Sequence, residues 1–186
     1  SGLEGLIDKE IENASRGNKA AILLKLNSLE DRALISKLYD AARMGVNVRL
    51  IVRGICCLVP GVSGASEGIE AISIVDRYLE HARAYVFHNN GSPKVYLSSA
   101  DWMGRNLDRR IEVAFPLLHP LLRDELLKLL ELQWLDNTKA RVIDVGQTNP
   151  YRTPGRPGSQ LRAQQAIYTA LRKKAAQQEP RRRGSR

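Results

Sequence analysis

Residues 19–54, "KAAILLKLNSLEDRALISKLYDAARMGVNVRLIVRG", decide the fold. The stretch opens with a short apolar run that reads as a strand and ends at Asn27-Ser28, residue types that favour the start of a helix. Residues 30–45 then place Leu34, Ile35, Leu38, Ala41 and Ala42 on one face at helical spacing. Gly45 closes that helix, because a residue without Cβ tolerates the left-handed conformation just beyond a helix end. "VNVRLIVRG" returns as a second strand. Strand, helix and strand within about 35 residues form a βαβ unit, which predicts a parallel pair with a right-handed crossover.

The rest of the chain fits around this unit. Residues 3–16 read as a helix with Leu3, Leu6, Ile7 and Ile11 on one face. A Pro/Gly/Ser loop ("CCLVPGVSGASEG") leads to a strand at "AISIVD". "ARAYVF" and "KVYLSS" are strands joined by the turn signal "HNNGSP". "RRIEVAFPL" reads as a strand, "HPLLRDELLKLLELQWLD" as a long amphipathic helix, and "ARVID" as a short last strand. From Gly146 to Ser159, three prolines and three glycines mark a linker, followed by a helix carrying Leu161, Ile167, Tyr168 and Leu171 and then a basic end that reads as disordered. The expected organisation is a body over 1–145, a linker and helix over 146–176, and a tail over 177–186. No internal repeat is visible.

Composition excludes several classes. With 186 residues and a hydrophobic fraction of 43%, the chain can bury a real core. No apolar run reaches the about 18–20 residues that a membrane-spanning helix needs, so no transmembrane segment is expected. Cys56 and Cys57 are adjacent, which is neither a disulfide framework nor a metal spacing. The simplest reading is a reducing, cytoplasmic location, with peripheral membrane association left open. No metal-ligating cluster is expected. The +9 net charge is uneven: residues 1–145 hold 19 basic and 19 acidic residues, while residues 146–186 hold 10 basic residues against Glu179 alone. A broad nucleic-acid-binding face on the body is therefore not expected.

The chemistry concentrates in "DRYLEHARAYVF" (76–87) and "LSSADWMGRN" (97–106). His81 stands between Arg77 and Arg83, ahead of a strand. Imidazole can be a nucleophile or a proton donor near neutral pH, and arginines neutralise and orient a polyanion. Histidine at a strand start also serves as an ordinary half-buried hydrogen-bonding residue. Ser98 and Ser99 enter a turn whose hydroxyls and N–H groups can ligate phosphate oxygens, with Arg105 nearby, although Ser-Ser-Ala-Asp is also a helix cap. Arg53 ends a strand before Gly54, and ligands of α/β sheets gather at carboxyl ends of strands. A plain surface arginine is the alternative there.

His81-x-Arg83, the apolar strand, "VYLSSADWMGRN" and "RRIEVAF" resemble half of a phospholipase-D-type active site, H-x-K-x4-D with a serine-bearing strand. Arg83 stands where that pattern has lysine, and His88 where it has aspartate. A closer resemblance runs through "LKLNSLEDRALISKLYDAARMGVNVRLIVRGICCLVPG", "ISIVDRYLEHARAYVF", "KVYLSSADWMGRNLDRRIEVAFPL" and "LRAQQAIY", over about residues 5–172. In these blocks the chain is similar to the carboxy-terminal domain of the polyphosphate kinase family.

That resemblance implies an α/β, phospholipase-D-like domain whose mixed, partly parallel sheet is flanked by helices. It implies reversible transfer of the terminal phosphate of ATP to polyphosphate through a phosphohistidine in a preceding domain, with ATP/ADP as substrates. Mg2+ would be held mainly by the phosphates and other domains, and the full-length protein would be a homo-oligomer. Arg53 matches the family's nucleotide-phosphate arginine, and His81 its second essential histidine. Ser98, Ser99 and Arg105 extend the site by the phosphate-ligation argument. Two other readings are a phospholipase-D-like phosphodiesterase completed by dimerisation and a polyanion- or nucleic-acid-binding module acting through the tail.

Overall fold

The structure, a computed structural model, describes residues 2–104, 106 and 111–182, the side chains of 178–182 excepted. The opening stretch forms β1 (Ala21–Leu26), α2 (Arg32–Arg43) and β2 (Asn47–Val52), after a first helix α1 (Gly2–Ser15). There follow β3 (Ile69–Ile74), β4 (Arg83–Phe87), β5 (Lys94–Ser98), β6 (Ala114–Pro116), α3 (Pro120–Trp134), β7 (Ala140–Val142) and α4 (Ala163–Arg182). The strands make one sheet in the order β6-β5-β4-β1-β2-β3-β7. β1, β2 and β3 pair in parallel, as the βαβ pattern requires. β4, β5, β6 and β7 join antiparallel, so the sheet is mixed and partly parallel, as expected.

Successive strand residues point to opposite faces, and both faces are covered. Ile22, Leu24, Leu26, Val48, Leu50, Val52, Tyr85 and Phe87 share one buried cluster with Ile7 of α1 and Leu34, Ile35 and Leu38 of α2. Leu3, Leu6 and Ile11 pack against its rim. On the other face, Ile51, Ile72 and Ile74 meet Trp134 at the end of α3, and Ala84, Val86 and Val95 meet Leu130. The "HNNGSP" segment does close the β4–β5 hairpin, through a short 3₁₀ turn with Asn89, Asn90 and Gly91 at positive φ.

One reading is corrected. Asn27-Ser28 does not start α2. The chain runs on through Leu29, which is fully buried and bridges Cys56 and Trp102, and Asp31 caps the helix by accepting from the Leu34 N–H at 2.9 Å. The buried apolar side chain outweighs the local cap preference. The last helix begins only at Ala163 and continues to Arg182, into the segment that reads as a disordered tail. Its Ala, Gln, Lys and Arg residues are strong helix formers, so net charge alone understates the helical tendency there.

The linker composition of 146–162 does not describe a free tether. Val142 N–H donates to Pro150 O, Arg152 N–H to Ala140 O, and the Arg152 guanidinium lies 5.2 Å from the Trp134 ring. Arg141 stacks on Tyr151 at 3.8 Å. Asp136, fully buried, ties these parts together. Its Oδ1 accepts from the N–H groups of Thr138, Lys139 and Ala140, and its Oδ2 from Ala163 N–H at 2.6 Å. An unsatisfied buried donor costs about 1–3 kcal/mol. Asp136→Ala strands two buried donors, at Ala140 and Ala163, and two part-buried ones, so urea unfolding is expected to show a loss of at least about 2 kcal/mol.

Candidate functional site

The carboxyl ends of β1 and β2 lie at the same end of the sheet as the start of β4 and the end of β5, as their registers require. Three segments that leave this end are knitted together. Leu29 N–H donates to Ile55 O and Cys57 N–H to Leu29 O, while Glu30 and Asp31 both donate to Trp102 O. Gly54 N–H donates to Asn27 O at 2.8 Å. A Cβ on residue 54 would stand 2.7 Å from that same oxygen, so only glycine allows the approach that sets Arg53 beside Asn27.

Asp101 is the hub. Its Oδ1 accepts from Asn27 N–H at 2.7 Å and from Ser28 N–H at 3.1 Å. Its Oδ2 accepts from Arg83 Nη2 at 3.0 Å and lies 3.5 Å from Asn27 Nδ2. Arg53 Nε donates to Asn27 Oδ1 at 2.6 Å, and Arg83 Nη2 stands 3.4 Å from His81 Nε2. Arg53, Asn27, Asp101, Arg83 and His81 thus form one polar chain across β1, β2, β4 and the turn after β5. Burial alone would raise the Asp101 pKa, but the Arg83 hydrogen bond and the Ser28 and Asn27 N–H groups outweigh it and hold the carboxyl below its ordinary value. Beneath the hub, Tyr85 donates from its hydroxyl to Ala100 O at 2.5 Å and meets Trp102 edge-on at 5.6 Å, and burial pushes its phenol pKa up.

The two serines are placed beside this chain with their hydroxyls turned to the protein itself. Ser98 pairs with Arg83 across the hairpin, donates to Val113 O at 3.2 Å and accepts from Ala100 N–H at 3.0 Å. Ser99 bonds the Glu112 carboxylate and accepts from Val113 N–H at 3.0 Å. They shape the turn and pin the strand that follows. Arg105 lies outside the described residues. Arg77 places its guanidinium 5.6 Å from the Tyr78 ring. His88 sits at the far end of β4, where its Nδ1 accepts from Gly91 N–H at 3.2 Å, and it takes no part in the site. His81 is exposed rather than half-buried, and Arg53 is partly buried.

Sequence reasoning missed Asn27 and Asp101, both read as helix-capping types, because their partners lie far along the chain. It also missed Lys25, which is 5% exposed in β1 and pairs with Glu80 at 2.9 Å, next to His81. A lysine inside an otherwise apolar strand was the available signal. Two hollows are lined in part by residues close in sequence to the polar chain. One of about 300 Å³ includes Gly54, Ser73, Arg141 and Asn149, and one of about 460 Å³ is lined by Arg77, Tyr78, Arg162, Gln164 and Tyr168. Among the described residues, no group of three or more His, Cys, Asp or Glu side chains could hold a metal ion, and no helix is long and apolar enough to cross a membrane.

In architecture this is a phospholipase-D-like α/β domain. A phospholipase D family member, Nuc from Salmonella typhimurium, superposes with a TM-score of 0.50 at 17% identity over 72% of the chain and 88% of its own. Within that class the assignment narrows. The family model described as "Polyphosphate kinase C-terminal domain 2" matches residues 1–164, and the chain belongs to that family. It is 51% identical over 167 residues to polyphosphate kinases of Vibrio cholerae and of Escherichia coli K12, covering 90% of this chain in each case. The crystal structure of polyphosphate kinase from Porphyromonas gingivalis matches with a TM-score of 0.90 and 48% identity, over 93% of this chain and 26% of that one. The chain spans 24% of the length of the two sequence relatives.

Asp101 also sets a pH dependence. A carboxyl held below its unfolded pKa of about 3.9 stabilises the fold fully above that value, and the contribution is lost as pH falls through the lower folded value. Removing one partner of a buried pair costs on the order of 3 kcal/mol. Asp101→Asn is therefore expected to lose about that much at pH 7 in urea unfolding and to show a shallower further loss below about pH 4 than the parent.

Proposed function

We propose that this domain supplies the nucleotide- and polyphosphate-facing half of a site that transfers the terminal phosphate of ATP, reversibly, to polyphosphate. The observation that carries the reading is the polar chain centred on Asp101, which bonds Arg83 directly and Arg53 through Asn27, with His81 beside Arg83. The chain holds two guanidinium groups and one carboxylate, which is paired with Arg83 alone, so the positive charge of Arg53 is left uncompensated within it. Arg53 bonds only the neutral Asn27, and the buried Arg83 Nε has no partner among the described residues. Both groups suit a phosphate oxygen, since charge-assisted hydrogen bonds from arginine orient as well as neutralise phosphates. Membership of the family and the polyphosphate kinase relatives support the same reading.

Chemically, the γ-phosphoryl group passes to a histidine nitrogen outside this chain. An N–P bond forms there, the P–O bond to ADP breaks, and ADP leaves. The terminal oxygen of a polyphosphate then attacks phosphorus, forming a P–O bond and breaking the N–P bond. His81 is exposed beside Arg83, where it can donate a proton or hydrogen bond to the phosphate oxygen that gains charge. Arg53 holds the nucleotide phosphates in line. Fixed cations aimed at a loose, highly charged transition state supply most of the catalysis in phosphoryl transfer. The Asp101 oxygens are already committed to N–H donors, so that carboxylate is not free to bind Mg2+.

In the full-length protein, Arg53→Ala and His81→Ala are each expected to cut ATP-dependent polyphosphate synthesis by at least about a hundredfold, with the melting temperature little changed. Near-normal turnover by either variant removes that residue from the site. The 186-residue chain alone is expected to make no polyphosphate from ATP in a radiolabel assay, and measurable synthesis by pure material overturns the assignment of the covalent step elsewhere.

A further inference from the structure

The loop between β3 and β4 carries His81, yet almost nothing apolar holds it. Val75, Tyr78 and Leu79 are 70%, 65% and 75% exposed. Residues 76–81 make no backbone–backbone hydrogen bond among the described residues. Their grip comes from side chains at the start of α4, more than 80 residues on. Arg162 donates from Nε to Asp76 Oδ2 at 2.8 Å and from Nη2 to Asp76 Oδ1 at 2.6 Å, a two-point contact with a carboxylate that is itself buried. Gln164 accepts from Tyr78 N–H at 3.0 Å and donates to Tyr78 O at 2.8 Å and to Glu80 Oε1 at 3.0 Å. The other Glu80 oxygen takes Lys25 Nζ at 2.9 Å and Gln133 Nε2 at 2.8 Å.

Residues 161–164 are themselves fixed to the body. Asp136 accepts from Ala163 N–H, and Asn137 exchanges hydrogen bonds with Leu161, donating to Leu161 O at 3.0 Å and accepting from Leu161 N–H at 2.7 Å. A rigid path therefore runs from the end of α3, through the start of α4, to Asp76, Tyr78 and Glu80 on either side of the loop tip. A loop of this kind would ordinarily be held by apolar packing. Here polar contacts do it, and polar contacts are directional.

We infer that Arg162 and Gln164 are positioning residues that clamp the 76–81 loop and so fix where His81 stands, which makes the segment after the linker part of the catalytic apparatus. This rests on the reading of His81 as a group that acts on the phosphate chain. Neither residue needs to touch the reacting atoms. A misplacement of about 1 Å in a catalytic group can cost about a hundredfold in rate.

The test uses the full-length protein and four variants: Arg162→Ala, Arg162→Lys, Gln164→Ala and, as the control for the reading itself, His81→Ala. Polyphosphate synthesis is measured at saturating ATP, with hydrogen exchange followed by mass spectrometry. Arg162→Ala and Gln164→Ala are expected to lose at least about tenfold in turnover that excess ATP does not restore, with exchange quickened only in peptides covering 75–82. Arg162→Lys keeps the charge but not the two-point grip and is expected to fall between parent and alanine. If His81→Ala loses activity while both clamp variants stay within about twofold of the parent, the clamp is wrong and the function stands. If His81→Ala keeps full activity, the reading of the site itself fails. Exchange quickened throughout the domain in both clamp variants also overturns the clamp, since the contacts would then serve general stability.

Discussion

The Asp101 carboxylate is the constraint on which the site depends. Four hydrogen-bonding groups converge on its two oxygens: two N–H groups at the end of β1, the Asn27 amide and the Arg83 guanidinium. Without it, the backbone turn after β1 would bury unpaired donors, Arg83 would lose its counter-charge, and Asn27 would lose the partner that aims it at Arg53. One buried anion thus holds Arg83 directly and aims the Asn27 side chain that holds Arg53. The arrangement is stable because the cost of burying the carboxylate is met by hydrogen bonds from several directions at once.

The same logic recurs twice lower in charge. Glu80 gathers Lys25, Gln133 and Gln164, and Asp136 gathers the turn into β7 and the start of α4. Each acidic residue joins elements distant in sequence where the apolar core does not reach. The core itself is ordinary: a mixed sheet with aliphatic side chains on both faces, closed by α1 and α2 on one side and α3 on the other. Apolar burial sets the layers, and buried carboxylates set the loops at the functional end.

This division explains what was legible in the sequence. The alternation in β1 and β2, the helical spacing of Leu34, Ile35 and Leu38, and Gly45 are local signals, and they gave the parallel unit and its order. Arg53 and His81 were proposed from their place at strand ends and from a family resemblance. Asp101 was not, because a carboxylate that binds residues 73 and 74 positions away looks the same in sequence as one that caps the next helix. Asn27 failed for the same reason. The serine hydroxyls of "LSSAD" sit in a turn, where they can face either way, and here they bond Val113 and Glu112. The linker after Gly146 has the composition of a tether, yet its backbone pairs with β7 and its far end grips the His81 loop.

The central claim is that the Asp101-ordered arginines, and not the basic end of the chain, recognise the phosphate chain. Affinity carried by diffuse charge through released counterions falls steeply and linearly with salt on logarithmic axes, whereas oriented arginine contacts persist. Titration calorimetry of polyphosphate into the parent chain, the Arg53→Ala variant and a chain lacking residues 176–186, at low and at physiological salt, separates the two. The account predicts that removing 176–186 weakens binding at low salt and changes it little at physiological salt, while Arg53→Ala weakens it at both. Binding abolished at every salt concentration by the deletion, and left intact by Arg53→Ala, would contradict it.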